Sequence, residues 1–136
     1  MAGYFTESNY ENAVLQLLNE ELGYNYIYGP DVERDYHSPL YEDVLLPSLQ
    51  RINKSLPMDA LTEAIYKLKN FETGTLLQKN MVFMDYLQNG VPVKYYDKGE
   101  ERSTLVYLVD FKNPASNEFT VANQWTFIEN SKKDQM

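Results

Sequence analysis

Two glutamates near the start of the chain are the first candidates for a functional role. Glu11 and Glu7 fall inside the arc of an apolar stripe with helical period. The stripe consists of Tyr10, Val14, Leu17, Leu18 and Leu22. A carboxylate on an inward face must be paired, bound to a metal or protonated, which makes Glu11 a candidate metal ligand. The structural alternative is that Glu11 closes a capping box with Ser8, with Thr6 as the rival cap.

A second candidate is the triplet Asp110-Phe111-Lys112, which follows a strongly apolar segment. Strand ends often carry site residues, and in nucleases an acidic-x-Lys triplet supplies a metal ligand and a lysine that activates water. The alternative is a strand-ending aspartate beside a solvated lysine. His37 has no second histidine near it and is interpreted as a capping or loop residue.

Composition excludes several classes of function. The chain has 136 residues, 43% of them hydrophobic, and a net charge of −8. Such a charge argues against a free-standing nucleic-acid-binding module but is compatible with a carboxylate-built nuclease site. The absence of cysteine excludes disulfides, cysteine zinc sites and cysteine nucleophiles. No apolar run approaches the ~20 residues of a membrane span, so no membrane association is expected and the cytoplasm is the default compartment.

The spacing of apolar residues predicts helices over most of residues 1–90. A first helix is expected from Thr6 or Ser8 to Leu22, and a second opening at Ser38-Pro39. Further helices are expected after Pro57 and over Thr75–Gln88. Tyr24, Tyr26 and Tyr28 alternate with other residues, which indicates a short strand between the first two helices.

From Val91 onwards the period of the pattern changes to two. A hairpin with a turn over Asp97–Glu100 is expected, followed by a strand candidate over Phe119–Ile128. The segment Leu105–Val109 is nearly all apolar and predicts a central strand buried on both faces. The fold class is therefore α+β, a single domain over residues 1–136 with helices packed on a mixed β-sheet. One sheet edge is expected to be open, which could lead to self-association.

The order of motifs resembles the N-terminal domain of the restriction (R) subunit of type I restriction–modification enzymes. Its matching segments span about 120 residues. They are Phe5–Glu11, Leu18, Leu22–Tyr24, Leu49–Pro57, Ala60–Leu68, Asn80–Leu87, Asn89–Val91, Val109–Phe111, Asn113-Pro114, Asn117, Phe119 and Asn123-Gln124.

This resemblance implies a metal-dependent endonuclease of the PD-(D/E)xK type, placed before motor domains that hydrolyse ATP. It implies a Mg²⁺ site built from an Asp on one strand and a Glu-x-Lys on the next, supported by an acidic residue of the first helix. Glu11 matches that helix residue, and Asp134 is the candidate for the site Asp. Asp110 matches a separate Asp-Phe-x-Asn-Pro segment of the family, which favours a structural role for it.

No Glu-x-Lys occurs in the sequence, which predicts an incomplete PD-(D/E)xK fold and an N-terminal fragment that is inactive alone. In the whole enzyme the resemblance implies DNA as substrate, with methyltransferase and specificity subunits as partners. Two alternatives stay open at this point. One is a non-catalytic interaction or binding module on the same scaffold. The other is an unrelated small acidic protein that blocks a DNA-directed enzyme by presenting carboxylates.

Overall fold

The computed structural model describes residues 6–71 and 74–128, and these form two compact units. The first unit contains residues 6–41 and 118–128, and the second contains residues 42–117 apart from 72–73. Four α-helices and four strands follow one another in the α+β arrangement predicted. They are α1 (Glu7–Gln16), β1 (Asn25–Tyr28), α2 (Glu42–Ile52), α3 (Met58–Lys69), α4 (Leu76–Asn89), β2 (Val91–Asp97), β3 (Glu100–Val106) and β4 (Thr120–Asn123).

The first unit begins with α1, whose N-terminus is capped by Thr6 and not by Ser8. The hydroxyl of Thr6 accepts a hydrogen bond from the backbone N–H of Asn9 at 3.2 Å. After Gln16 the helix continues as one π-helical turn, Leu17–Glu21, and Gly23 then ends it with φ of +75°.

The apolar stripe of α1 is exposed, so the expectation that it faces inward is wrong. Tyr10, Val14, Leu17 and Leu22 are each half exposed or more. The reason is the small size of the surrounding structure. In the described part of the first unit the regular strands are β1 and β4, with four residues each, and they offer too little surface to cover the stripe.

Strands β1 and β4 pair in parallel, with Asn25 opposite Thr120 and Tyr28 opposite Asn123. The rings of Tyr24 and Phe119, just before the two strands, stack with centroids 5.1 Å apart. This pair confirms the short strand predicted from the alternating tyrosines. It joins parts of the sequence nearly a hundred residues apart, and it brings the end of β4 to the same unit as α1.

The second unit contains the buried apolar core, in which α3 packs against the hairpin of β2 and β3 and also against α2. The buried apolar side chains are Leu49, Ala60, Leu61, Ala64, Leu68, Val91, Val93 and Val106. The hairpin turn falls where it was predicted, with Asp97 paired to Glu100. Lys98 and Gly99 between them both have positive φ, as a two-residue type I′ turn requires.

Helix α4 begins as predicted. Thr75 and Gln78 form a complete capping box, since each side chain accepts from the other residue's backbone N–H. The second predicted helix starts later than expected, at Glu42 rather than at Ser38-Pro39. The backbone N–H of Ser38 instead donates to the carbonyl of Asp35 at 3.0 Å, which makes this segment a turn.

The prediction of a central strand over Leu105–Val109 is wrong. Strand β3 ends at Val106, Leu105 is 41% exposed, and β3 lies in a two-stranded sheet. The strand ends where its partner β2 begins, at the pair Val91–Val106, and the side chain of Asn53 bonds the backbone of the next residue, Tyr107. Its Oδ1 accepts from Tyr107 N at 2.8 Å and its Nδ2 donates to Tyr107 O at 2.9 Å. Within the described residues, no helix is both long and apolar enough to cross a bilayer.

Candidate functional site around Glu11

Glu11 lies on α1 more than one turn beyond the cap residue. Because Thr6 is the N-cap, the first three helical positions are 7, 8 and 9, and Glu11 cannot be the reciprocal partner in a capping box. The alternative that Glu11 only closes a capping box at the start of the helix is therefore excluded. The side chain of Glu11 is half-buried, in contrast to the exposed Glu7 one turn earlier.

The partner of the Glu11 carboxylate is Gln124, which directly follows β4. Gln124 Nε2 lies 3.1 Å from Glu11 Oε1 and 3.4 Å from Oε2, so a single amide nitrogen approaches both oxygens. An amide donor removes no charge from the carboxylate and leaves most of its lone pairs available. The arrangement therefore holds Glu11 in place while keeping it able to bind a cation.

Glu11 borders an open recess of about 420 Å³ between the middle of α1 and strand β4. Its lining is mostly apolar and includes Val14 and Val121, and the side chains with oxygen atoms around it are those of Glu7, Tyr10, Glu11 and Asn123. The amide oxygen of Asn123 accepts a hydrogen bond from the hydroxyl of Tyr26 at 2.9 Å. Two carboxylates, Glu7 and Glu11, therefore border one recess in the first unit.

The two carboxylates that border the recess, Glu7 and Glu11, are oxygen ligands of the kind that a hard divalent cation takes. Mg²⁺ takes oxygen ligands, is commonly held by one or two carboxylates, and keeps waters or substrate phosphates in its remaining positions. Glu11 is the half-buried carboxylate that could supply one such ligand. Residues 6–71 and 74–128 contain no group of three His, Cys, Asp or Glu side chains that could hold a metal by itself. Asp134, the second predicted ligand, lies outside the described residues.

Asp110 caps a turn in the second unit, as the resemblance favoured. One oxygen, Oδ1, accepts from the backbone N–H groups of Lys112 and Asn113, at 3.0 and 2.9 Å. The amide of Asn117 bonds both the N–H and the carbonyl of Asp110. With its carboxylate used in this turn and Lys112 exposed, the triplet has the contacts of a structural element.

His37 lies in an exposed turn, as predicted. Its backbone N–H donates to Asp35 Oδ1 at 2.9 Å, and its Nδ1 lies 3.3 Å from the same oxygen. The one Lys or Arg in the described part of the first unit is Arg34. Its guanidinium lies over the indole of Trp125, 3.8 Å from the ring centroid, and it donates to the backbone oxygens of Ser38 and Thr126.

Sequence reasoning found Glu11 but not the residues that hold it. Gln124 was noted only as part of the resemblance, and its contact with Glu11 spans 113 positions of the sequence. Arg34 and Trp125 were not singled out at all. The sequence feature that could have indicated Arg34 is that it is a lone arginine close to tyrosines in an otherwise acidic segment.

Comparison with known proteins identifies the family. Residues 4–135 match the family model described as the type I restriction enzyme R protein N terminus. The chain belongs to this family. The matched region includes both Glu11 and Asp134.

Two curated relatives are endonuclease subunits by name. The HindI type I restriction enzyme endonuclease subunit of Haemophilus influenzae is 29% identical over 126 residues, which is 87% of this chain and 12% of that protein. A protein of Methanocaldococcus jannaschii, named as the candidate endonuclease subunit of type I restriction enzyme MjaIXP, is 31% identical over 85% of this chain and 12% of its own length. The chain thus spans about an eighth of these relatives. No solved structure gives a significant match.

Proposed function

We propose that this R protein N terminus contributes to a Mg²⁺-dependent endonuclease site that cuts DNA. The observation that carries the proposal is the geometry of Glu11, a half-buried carboxylate held by Gln124 at the edge of an open, mostly apolar recess. The family assignment supplies the chemical class, since both curated relatives are named as endonuclease subunits.

In this proposal Glu11 holds the cation from α1, and Asp134 supplies a second carboxylate. Bound there, Mg²⁺ would polarise a phosphoryl oxygen and stabilise the charge that develops on the phosphate. A group that activates water is also required. The one described Lys or Arg of the first unit, Arg34, already contacts Trp125 and two backbone oxygens. In the family pattern the activating group is the lysine of a Glu-x-Lys, which does not occur in this sequence.

The wider role proposed is that of a type I restriction enzyme in the cytoplasm. The R subunit would cleave unmodified foreign DNA, with ATP hydrolysed by motor domains and with methyltransferase and specificity subunits as partners. DNA would reach the site through the assembled enzyme, because a chain with a net charge of −8 offers phosphate few favourable contacts.

A Mg²⁺-binding and nicking experiment tests this proposal. The 136-residue chain, a chain extended through the Glu-x-Lys hairpin and the Glu11→Ala variant of that longer chain are compared by calorimetry and by plasmid nicking. We expect nicking and Mg²⁺ binding only from the extended chain, and both should be lost with Glu11→Ala. The proposal fails if the Glu11→Ala variant of the extended chain binds Mg²⁺ with the same affinity as the extended chain without the substitution.

The alternative function is a non-catalytic interaction module on the same scaffold. The exposed apolar side chains of α4 favour it, since such side chains are typical of a contact surface. Leu76, Leu77 and Met81 are the most exposed of them. If even the extended chain does not bind Mg²⁺, this second function is favoured.

A further inference from the structure

Gln124 is fixed by its backbone as well as by its side chain. It is one of two non-glycine residues with positive φ in the described residues, at +52°, and it directly follows the last residue of β4. Few side chains adopt this left-handed region, and such residues concentrate at functional sites. The conformation turns the chain at the end of the strand and sets the direction of the Gln124 amide.

Gly29 makes room for this turn. A Cβ on Gly29 would lie 2.5 Å from the carbonyl oxygen of Gln124 and 2.6 Å from that of Asn123, both closer than van der Waals contact allows. Gly29 is buried, and its φ lies outside the left-handed region, so close packing and not backbone freedom calls for glycine here. The lack of a side chain at residue 29 thereby lets the backbone of Asn123 and of Gln124, the partner of Glu11, approach it closely.

The residues after Gln124 are also held by hydrogen bonds to other parts of the first unit. The indole N–H of Trp125 donates to Pro39 O at 3.2 Å, and the backbone N–H of Ile128 donates to Tyr36 O at 2.8 Å. The guanidinium of Arg34 lies against the rings of both Trp125 and Tyr36. Gln124 therefore lies between strand β4 and the bonded segment 125–128. This limits the backbone positions from which its side chain can reach Glu11.

We propose that Gln124 is a positioning residue for Glu11, and that its amide sets the orientation in which this carboxylate receives a divalent cation. The inference rests on the proposed function and deepens it. Groups that hydrogen-bond to a metal-binding carboxylate orient the ligand, and their removal typically weakens metal affinity or activity by 10–100-fold. The amide suits this role because it donates two N–H groups without carrying a charge that would compete with the cation.

The test uses two substitutions at Gln124 in a full-length R subunit carrying this sequence. Gln124→Met keeps the length of the side chain and removes the hydrogen bond. Gln124→Asn keeps an amide, shortens its reach and suits the left-handed backbone, which Asn tolerates better than most residues. Gln16→Ala is the matched control, because Gln16 is an exposed glutamine of α1 that bonds Glu20 and not Glu11.

Two measurements are made on each protein: Mg²⁺ affinity by calorimetry, and the Mg²⁺ concentration that gives half-maximal DNA cleavage. We expect both Gln124 variants to bind Mg²⁺ about 10–100-fold more weakly. The half-maximal concentration should rise in parallel, and saturating Mg²⁺ should restore the rate. A residue with only a structural role would lower the rate at every Mg²⁺ concentration, and that result would overturn the inference.

The outcome also separates this inference from the function on which it rests. If Glu11→Ala leaves Mg²⁺ affinity unchanged, the proposed function itself fails. If Glu11→Ala weakens Mg²⁺ binding while both Gln124 variants and Gln16→Ala bind like the parent, the function stands and only the positioning role is refuted.

Discussion

The amide of Gln124 donates to the carboxylate of Glu11, with Nε2 3.1 Å from Oε1, across 113 positions of sequence. This contact joins the second turn of α1 to the end of β4. It requires three features at once: the Thr6 cap that places Glu11 in the helix, the parallel pairing of β1 with β4, and the left-handed backbone of Gln124. The candidate site therefore depends on α1, β1 and β4 together, and not on one local segment.

The Glu11–Gln124 contact can be observed directly in solution. We expect Glu11→Ala to shift the side-chain NH₂ resonances of Gln124 in a ¹H–¹⁵N spectrum more than those of any other glutamine, because their acceptor is removed. Glu21→Ala is the control, since Glu21 is an exposed carboxylate of the π-helical turn outside the recess. Equal shifts at Gln124 in the two variants would contradict the contact.

Gly29→Ala should destabilise the protein by about 1–3 kcal/mol, which is typical of forcing a group into occupied space. The added Cβ would meet the carbonyl oxygens of Asn123 and Gln124, which belong to backbone and cannot rotate away. Urea unfolding measures the change. Asp31→Ala, an exposed neighbour, should change stability by no more than about 0.5 kcal/mol. A Gly29→Ala protein as stable as its parent would show that this close approach does not exist.

Asp110→Ala should cost about 0.5–2 kcal/mol of stability, as expected for loss of a side-chain cap, because two backbone N–H groups lose their acceptor. Lys112→Ala should be nearly neutral, since that side chain is exposed. Neither substitution should remove nicking by the extended chain. If Lys112→Ala abolishes nicking, Asp110-Phe111-Lys112 is the catalytic triplet after all.

Asn53→Ala should destabilise the second unit by about 1–3 kcal/mol, the cost of leaving backbone groups without their partners. Asn53 is only 6% exposed, and it bonds both the N–H and the carbonyl of Tyr107. Lys54→Ala, its exposed neighbour, is the control and should stay within about 0.5 kcal/mol of the parent. Thermal unfolding of the two variants distinguishes them, and equal melting temperatures would count against the role of Asn53.

Local chemistry made much of the fold predictable. The hairpin turn at Asp97–Glu100 and the start of α4 at Thr75 depend on residues close in sequence, and both were located correctly. The end of β3 was not predictable in this way. Pairing with β2 ends at Val106, and the next residue, Tyr107, is bonded by the side chain of Asn53 from 54 positions away, a contact that the apolar run does not indicate.

The candidate site was predictable only in part. Helical periodicity singled out Glu11, because a carboxylate inside an apolar arc is unusual. The same periodicity wrongly predicted that the apolar stripe of α1 faces inward, whereas the stripe is exposed. A periodic pattern shows which residues share a helix face but not what covers that face. Gln124 escaped prediction because its role depends on a positive φ and on the space left by Gly29. Asp134 remains a prediction.

Whether Glu11 belongs to a DNA-cleaving site is decided by comparing two activities of one assembled enzyme. An R subunit carrying Glu11→Ala, combined with its methyltransferase and specificity subunits, is assayed for ATP hydrolysis and for plasmid cleavage beside Glu21→Ala. We predict that Glu11→Ala hydrolyses ATP like its parent but no longer cleaves DNA, whereas Glu21→Ala retains both activities. Cleavage by the Glu11→Ala enzyme at the parental rate would show that Glu11 does not belong to this site.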